Sequence, residues 1–251
     1  MAGLRAAILA AGRGVRMGGE IPKTLLPLGG DEPLLHHILQ GVRSAGMTDV
    51  LIVTGFKSGA VQEFVAEHAE GLEVTFVRNT RYASWGNFHS LRMAIDQSPG
   101  MDLLVVNCDV VMAPGVYRRV IDAEGDLALA VERRRRLDEE DMRVELADRR
   151  VVAIGKHLKM ARSHGEFAGV SMLRPAAAQL YADTATDWEW RATTDGYYED
   201  VYATLLERLD TRAVFVEAGE YAEVDTPEDV AAARAVIRDH ADSWAAPAAA
   251  E

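Results

Sequence analysis

The chain has 251 residues, of which 49% are hydrophobic and 26% charged, and its formal net charge is -12. This length suits one compact α/β domain with a full core, and the acidic balance argues against nucleic-acid binding, which needs basic surface to displace counterions from phosphates. No stretch approaches the roughly 20 apolar residues of a membrane span, and the single cysteine, Cys108, excludes an internal disulfide, so we expect a soluble, cytoplasmic protein.

The first half of the chain alternates apolar strand-like runs with helical patterns. Strands are expected at 4–10, 50–53, 73–77 and 103–107. Helices are expected at 34–45, 58–68, 87–97 and 114–122. Strands that alternate with helices in this way are typical of a mainly parallel sheet with helices on both faces.

The second half has a different pattern, with short strand-like runs separated by charged loops. These runs lie at 127–131, 142–146, 151–154 and 167–173, and helical patterns follow at 176–182, 199–209 and 226–240. They indicate antiparallel or mixed pairing added to the parallel core. We therefore predict a single domain over 1–240, with a core at 1–125 and an insertion and C-terminal part at 126–240. An Ala/Pro-rich flexible tail is expected at 241–251.

A glycine-rich loop follows the first predicted strand. Residues 9–17 have the sequence LAAGRGVRM, and Pro22 and Lys23 come soon after. Glycines let backbone amides approach phosphate oxygens, and Arg16 and Lys23 add cationic donors. A dinucleotide-binding turn needs a helix that begins directly on the glycines, which Pro22 and Pro27 prevent. A Walker A loop needs Gly immediately before the Lys, where this chain has Pro22.

The motif Ala-Ala-Gly-Arg-Gly-Val-Arg-Met followed by Pro-Lys resembles the opening of the sugar-nucleotide and related nucleotidyltransferases. The resemblance extends to about Ile237 and implies a Rossmann-like three-layer α/β sandwich with a mostly parallel mixed sheet, the GT-A-like nucleotidyltransferase fold. It implies that Arg16 contacts the departing pyrophosphate and that Lys23 stabilises charge at the reacting phosphates. The residues implied to bind the nucleotide in this loop are Leu9, Ala10, Ala11, Gly12 and Gly14.

Two aspartates that are far apart in the sequence each follow an apolar run. Asp109 comes directly after the strand predicted at 103–107, and ligands of open parallel sheets bind at the carboxyl ends of the strands. Asp225 ends a short strand before a predicted helix. The resemblance implies that this pair holds a Mg²⁺ ion that bridges the nucleotide phosphates, in keeping with the preference of Mg²⁺ for one or two carboxylates. The alternatives are a turn-forming Asp109 and an Asp225 that only neighbours a helix cap.

The resemblance also assigns residues to the acceptor and to the nucleotide. Lys156, after the strand predicted at 151–154, is expected to hold the acceptor phosphate, with a solvated surface lysine as the alternative. Asp141 stands where the phosphocholine enzymes of the family place a Trp. Further acceptor contacts are expected from Glu166, Glu199 and Asp200, and nucleotide contacts from Asn87 and Ser90.

Several segments favour the branch that makes CDP-choline-like and CMP-phosphonate products from CTP. These segments are Asn79 with Tyr82, residues 85–91, residues 137–144 and residues 198–200. We therefore predict a Mg²⁺-dependent cytidylyltransferase that moves CMP from CTP to a small phosphonate or a phosphocholine-like acceptor, and a homodimer is among the expected assemblies. The alternatives are a sugar-1-phosphate or inositol-phosphate nucleotidyltransferase and, more distantly, a non-catalytic nucleotide-binding regulatory homologue.

Overall fold

The computed structural model describes residues 3–14, 19–28, 32–133 and 137–244, and its centre is a nine-stranded sheet. The strand order is β3-β2-β1-β4-β9-β6-β10-β8-β7. A separate two-stranded ladder joins β5 to β11. The strands are β1 (Leu4–Ala10), β2 (Asp49–Thr54), β3 (Glu73–Arg78), β4 (Asp102–Asn107), β5 (Val110–Met112), β6 (Leu127–Glu132), β7 (Arg143–Ala147), β8 (Arg150–Ile154), β9 (Gly165–Leu173), β10 (Thr211–Val216) and β11 (Tyr221–Glu223).

The sheet is mixed, as the sequence predicts. Strands β3, β2, β1 and β4 pair in parallel, and so do β6 and β10. Strand β9 runs antiparallel between β4 and β6, and β7 and β8 form an antiparallel hairpin. Because β7 also pairs with the start of β9, the strands from β9 to β7 close into a ring at one end of the sheet.

Helices cover both faces of the sheet and make a three-layer sandwich. The helices are α1 (Leu34–Ser44), α2 (Ser58–His68), α3 (Phe88–Asp96), α4 (Pro114–Ile121), α5 (Pro175–Trp190), α6 (Tyr198–Leu205) and α7 (Val230–Asp239). Helices α3, α5 and α6 contribute to the buried cluster on one face, and α1, α2 and α4 to the cluster on the other. Strand β1 supplies both clusters by alternation, because Ala7 and Leu9 belong to the first and Ile8 and Ala10 to the second.

The structure corrects several sequence-based boundaries. Helix α5 runs to Trp190, eight residues further than predicted. The sequence pattern did not indicate this extension because the second half of the helix is polar and half-exposed and lacks a strong apolar stripe. The helix predicted at 226–240 begins as a 3-10 turn, Pro227–Asp229, and continues as α7. Strands β5 and β10 were not predicted at all.

The first four residues of the predicted tail lie within the described part of the chain. Residues Ala241–Trp244 form a 3-10 helix, and the ring of Trp244 lies edge-on to His37 with 5.6 Å between centroids. Residues 245–251 lie outside the described residues. Among the helices that the structure describes, none has the length and apolar character to cross a membrane.

Candidate nucleotide and metal site

A cleft with a volume of about 490 Å³ opens at the carboxyl ends of β1 and β4. The two strands are neighbours, with Leu9 paired to Asn107, so the glycine loop after β1 and the turn after β4 meet at one edge of the sheet. Most of the residues proposed from the sequence line this cleft. They are Leu9, Ala11, Gly12, Gly14, Lys23, Asn87, Ser90, Asp109, Asp141, Lys156, Glu166, Glu199 and Asp225.

The β5–β11 ladder brings the two distant aspartates together. Asp109 directly precedes β5, and Val110 pairs with Glu223 at the end of β11. The backbone N–H of Val224 donates to the carbonyl oxygen of Asp109 at 2.8 Å, which places Asp225 beside Asp109. A pair of three-residue strands therefore joins residues that are more than a hundred positions apart.

The position of Asp225 is fixed by the turn that begins the C-terminal helix. Oδ2 of Asp229 accepts hydrogen bonds from the backbone N–H of Asp225 at 3.0 Å, the backbone N–H of Thr226 at 2.7 Å and the Thr226 hydroxyl at 2.9 Å. Burial alone would raise the pKa of Asp229, but these hydrogen bonds outweigh it and lower that pKa. Asp229 is thus an ionised cap that holds the chain where β11 ends.

The ammonium group of Lys23 lies between the two aspartates. Its Nζ donates to Oδ2 of Asp109 at 2.9 Å and also to Oδ1 of Asp225. Burial would lower the pKa of Lys23, but the charge of Asp109 and the hydrogen bonds to both carboxylates outweigh it and raise that pKa above its ordinary value. Lys23 is therefore a permanent cation at the centre of the cleft.

The carboxylates around Lys23 form a group that fits a divalent cation. Asp109, Glu223 and Asp225 each offer one oxygen, and these oxygens lie within 4.8 Å of one another. Oδ1 of Asp109 is buried and has no hydrogen-bond partner among the described residues, so it keeps a lone pair for a ligand. Carboxylate oxygens are the ligands that Mg²⁺ prefers, so the donor set suits this ion. Glu223 was not predicted from the sequence, although its place two residues before Asp225 on an extended segment puts both on one side of the strand.

Gly14 allows the glycine loop and the Lys23 segment to approach each other closely. Its φ is +63°, a left-handed conformation that favours glycine, and a Cβ atom there would lie 2.6 Å from Cβ of Lys23. Arg16, which the sequence assigns to the pyrophosphate, lies outside the described residues. The glycine pattern thus has a packing role that the sequence did not specify.

The first turn of α3 lines the cleft with Asn87 and Ser90. The backbone N–H of Tyr198 donates to Oδ1 of Asn87 at 2.9 Å. Nδ2 of Asn79 donates to Oγ of Ser90 at 2.9 Å. Both polar side chains are therefore held in fixed orientations by residues behind them.

The opposite wall of the cleft is acidic. Asp141, Glu166 and Glu199 are buried and line it, while Nζ of Lys156 lies 3.3 Å from Oε2 of Glu140. Burial raises the pKa of Glu199 to about 8, and nearby acidic charges add to this rise. The hydrogen bonds to its carboxylate lower the pKa but do not outweigh these effects. Glu199 is thus largely protonated at neutral pH, so it can donate a hydrogen bond as well as accept one.

Two predicted site residues lie elsewhere. Ala10 is absent from the cleft lining because β1 alternates its side chains, and that of Ala10 packs in the cluster on the opposite face of the sheet. Asp200 accepts a hydrogen bond from the backbone N–H of Tyr197 at 2.8 Å and closes a capping box at the start of α6. Asp200 is therefore a helix cap. The sequence pattern did not distinguish this role from that of its neighbour Glu199, which lines the cleft.

Other lining residues were not assigned a role from the sequence. Asn107 accepts a hydrogen bond at Oδ1 from the hydroxyl of Tyr198 at 2.9 Å. Gly169 has φ +73°, and a Cβ there would lie 3.0 Å from Nδ2 of Asn107. Two positions before Asp109, the chain therefore presents an amide that is bonded to Tyr198 rather than a second carboxylate.

The comparison with known families decides the relationship. The sequence model of the MobA-like NTP transferase domain matches residues 6–195. The chain belongs to the MobA-like NTP transferase family. This confirms the sequence-based assignment to the nucleotidyltransferases.

Curated relatives of this MobA-like chain include two kinds of bifunctional protein. It is 28% identical over 238 residues to the bifunctional IPC transferase and DIPP synthase of Thermococcus kodakarensis, which covers 93% of this chain and 50% of that protein. It is 36% identical over 106 residues to the bifunctional protein GlmU of Paracidovorax citrulli, which covers 42% of this chain and 22% of that protein. The chain thus spans about a fifth to a half of the length of these relatives.

Solved structures share the fold along almost the whole chain. The inositol-1-phosphate CTP transferase from T. maritima superposes with a TM-score of 0.79 at 19% identity, covering 94% of this chain and 97% of that one. The CTP:phosphocholine cytidylyltransferase from Streptococcus pneumoniae superposes with a TM-score of 0.76 at 21% identity, covering 90% and 95%. These likenesses confirm the predicted Rossmann-like fold of the nucleotidyltransferases.

Proposed function

We propose that this MobA-like domain is a Mg²⁺-dependent cytidylyltransferase that transfers CMP from CTP to a small phosphonate or a phosphocholine-like acceptor and releases pyrophosphate. The observation that carries the proposal is the convergence of Lys23, Asp109 and Asp225 in one cleft beside the glycine loop. A buried cation between two carboxylates, next to the backbone of the glycine loop, suits a triphosphate with its metal ion better than any uncharged ligand.

Asp109 and Asp225, with Glu223 beside them, are the proposed ligands of the ion. When bound there, Mg²⁺ neutralises charge on the triphosphate oxygens. Lys23 adds a second positive charge at the same place and needs no proton transfer to do so. Arg16 keeps its proposed contact with the pyrophosphate on the strength of the family resemblance.

In the proposed reaction an anionic oxygen of the acceptor attacks the α-phosphorus of CTP. The bond from the α-phosphorus to the bridging oxygen breaks on the opposite side, and pyrophosphate leaves with the electron pair. The acceptor oxygen is already ionised near neutral pH, so no general base is needed. Catalysis then depends on alignment and on neutralising charge in the transition state.

The acidic wall supports an acceptor that carries an amine. Asp141, Glu166 and Glu199 offer buried carboxyl oxygens, which suit the N–H donors of a primary ammonium. A quaternary ammonium would instead need a box of aromatic faces. Lys156 stands at the mouth of the same region and is the proposed contact for the acceptor's phosphonate or phosphate. An aminoethylphosphonate-like acceptor fits these groups best.

An inositol-phosphate or sugar-1-phosphate acceptor is the second candidate. The relative that matches 93% of this chain is named for IPC transferase activity, and buried carboxylates can also accept hydrogen bonds from hydroxyl groups. A non-catalytic nucleotide-binding homologue is the third candidate. The cytoplasmic location, the homodimer and the division into parts 1–125 and 126–240 stay predictions.

A pyrophosphate-release screen tests the proposal. The purified chain is incubated with each of the four NTPs and with aminoethylphosphonate, hydroxyethylphosphonate, phosphonoformate, phosphocholine, inositol-1-phosphate or glucose-1-phosphate, with Mg²⁺ and with EDTA. We expect release only with CTP, Mg²⁺ and a phosphonate or phosphocholine, and loss of it in Asp109→Asn. Release only with inositol or sugar phosphate selects the second candidate, and no release with any pair, despite NTP binding, selects the third.

A further inference from the structure

Lys57, the residue just before α2, has a backbone conformation that lysine rarely adopts. Its φ is +45° and its ψ is +46°, in the left-handed region that favours glycine. Lys57 also occupies the N-cap position of α2, where its side chain makes no hydrogen bond to the helix because an ammonium group has no acceptor. A cation at this end of a helix is opposed by the helix dipole as well. Glycine or asparagine would suit the position better on each of these counts, so the local structure gives no reason for a lysine.

The side chain of Lys57 instead reaches the segment that leads into Lys23. Its Nζ donates to the carbonyl oxygen of Glu20, which precedes Lys23 by three positions. Pro22, between them, has its φ fixed by its ring, and the backbone N–H of Leu25 donates to the carbonyl oxygen of Pro22 at 2.8 Å. The chain from Glu20 to Lys23 is therefore short and has little conformational freedom. A contact that fixes Glu20 also restricts where Lys23 lies.

Phe56 joins Lys57 to the glycine loop. The backbone N–H of Phe56 donates to the carbonyl oxygen of Ala11 at 3.1 Å, which links the end of β2 to the start of that loop. Nζ of Lys57 lies 5.6 Å from the centre of the Phe56 ring, and Cζ of Arg13 lies 5.2 Å from the same centre. Nε of Arg13 lies 3.5 Å from the carbonyl oxygen of Gly19. Two cations on one aromatic ring thus face neighbouring carbonyl groups of the segment before Lys23.

We propose that Lys57 is a positioning residue, whose hydrogen bond to the Glu20 carbonyl keeps Lys23 in place between the two aspartates of the cleft. This rests on the proposed function, which it deepens by adding a residue that supports Lys23 at the reacting phosphates. Lys57 is not among the residues that line the cleft, so it acts through Lys23 rather than on a ligand. The unfavourable backbone conformation is retained because the side chain is needed at this place.

Three substitutions of Lys57 separate its side chain from its backbone conformation. Lys57→Gly relieves the left-handed conformation and removes the contact with Glu20. Its midpoint in urea should therefore equal or exceed that of the wild type, while kcat with CTP falls about 10- to 100-fold and the KM for the acceptor is unchanged. Lys57→Met keeps the length of the side chain and the backbone conformation but cannot donate, so it should lose turnover without gaining stability. Lys57→Arg keeps a cationic donor and should recover most of the turnover.

Asp148→Gly is the matched control for the backbone. Asp148 is exposed in the turn between β7 and β8 and has φ +57°, so glycine gives the same conformational relief there. Its midpoint in urea should also equal or exceed that of the wild type, but its turnover should stay the same. If Lys57→Gly behaves like Asp148→Gly in both measurements, the proposal is overturned. A lower midpoint in Lys57→Gly would overturn it too, because Lys57 would then have a structural role.

Cleavage by a glutamate-specific protease provides a measurement that does not depend on turnover. The bond after Glu20 should be cut several times faster in Lys57→Gly and Lys57→Met than in the wild type and Lys57→Arg. The bond after Glu124, in the exposed loop between α4 and β6, should be cut at the same rate in all of them. Faster cutting at Glu20 alone, with an equal or higher midpoint in urea, cannot result from global destabilisation.

The protease measurement also distinguishes failure of this inference from failure of the proposed function. If the wild type releases pyrophosphate from no NTP, the proposed function fails, and the cleavage rates at Glu20 still decide whether Lys57 holds this segment. If the wild type is an active transferase but Lys57→Met keeps the wild-type turnover and the wild-type cleavage rate at Glu20, the proposed function stands and the role of Lys57 is refuted.

Discussion

The buried side chain of Glu199 predicts how the free energy of unfolding changes with pH. The residue is 5% exposed in the first turn of α6, and its Oε2 has no hydrogen-bond partner in the described part of the chain. Burial raises the pKa of Glu199 to about 8, because its hydrogen bonds do not offset the loss of solvent and the charges of Asp200 and Asp109 add to the rise. Replacing Glu199 by glutamine keeps the shape of the side chain and removes the proton that this environment binds.

The size of the effect follows from linkage. Each pKa unit corresponds to about 1.4 kcal/mol, so a rise from 4.5 to about 8 corresponds to roughly 5 kcal/mol. The folded protein binds the proton of Glu199 more tightly than the unfolded chain does. The contribution of this proton to the free energy of unfolding is therefore fully present below pH 4.5 and is lost as the pH rises through about 8. The free energy of unfolding of the Glu199→Gln variant should therefore exceed that of the wild type by a margin that grows over this window, to several kcal/mol at pH 9.

Urea denaturation at pH 5, 7 and 9 measures this margin. Glu207→Gln, at an exposed carboxylate just after α6, is the matched control and should follow the wild type at every pH. A difference between Glu199→Gln and the wild type that stays constant from pH 5 to pH 9 would refute the assignment of a buried, protonated Glu199.

Three further predictions concern the supports of the cleft. Asp229→Ala removes the cap before α7 and should lower the free energy of unfolding by about 1–2 kcal/mol in urea denaturation, whereas an unchanged midpoint would deny the cap its role. Gly86→Ala places a Cβ 1.9 Å from the carbonyl oxygen of Gly196 and should cost about 1–3 kcal/mol in thermal unfolding. Gly59→Ala, where nothing lies within 4 Å, should leave stability unchanged or higher, and equal effects of the two glycine variants would contradict the clash. Lys23→Gln removes the cation between the two aspartates, so Mn²⁺ should bind the nucleotide-free protein more tightly while pyrophosphate release is lost; weaker Mn²⁺ binding would contradict this.

Much of the fold follows from local patterns in the sequence. Strands β1, β2 and β4 are short, largely apolar runs that are buried on both faces, and the prediction at 4–10 matches β1 residue for residue. Asp109 could be placed in the cleft because the end of a parallel strand is a defined location in this class of fold. The glycine loop indicated Lys23 as a cationic donor for phosphates, but its role at the reacting phosphates came only from the family motif.

Other features depend on contacts that no local pattern encodes. The strands β5 and β11 have three residues each and form only because they pair with each other across the chain. Helix α5 continues beyond its predicted end at residue 182, and Tyr181 and Ala185 anchor it in the core on either side of that end. The contrast between Glu199 and Asp200 depends on helix geometry, which turns one carboxyl inward and the next back onto the helix start.

Strand geometry alone would have excluded the side chain of Ala10 from the predicted site. Successive side chains of a strand point to opposite faces, so Leu9 and Ala11 cannot share the cleft with the side chain of Ala10. The orientation of the Ser90 hydroxyl, in contrast, could not be predicted from local geometry. It depends on a hydrogen bond from Asn79, eleven residues earlier and on a different element, which only the folded structure reveals.

The central claim is that Asp109 and Asp225 jointly bind the divalent ion that accompanies the triphosphate. Titration of Mn²⁺ into the complex with CTP, followed by electron paramagnetic resonance of the free ion, tests it directly. Asp109→Asn and Asp225→Asn should each weaken Mn²⁺ binding by roughly tenfold or more, and Glu228→Gln, an exposed carboxylate nearby, should not. Mn²⁺ affinity that is unchanged in both aspartate variants would contradict the account.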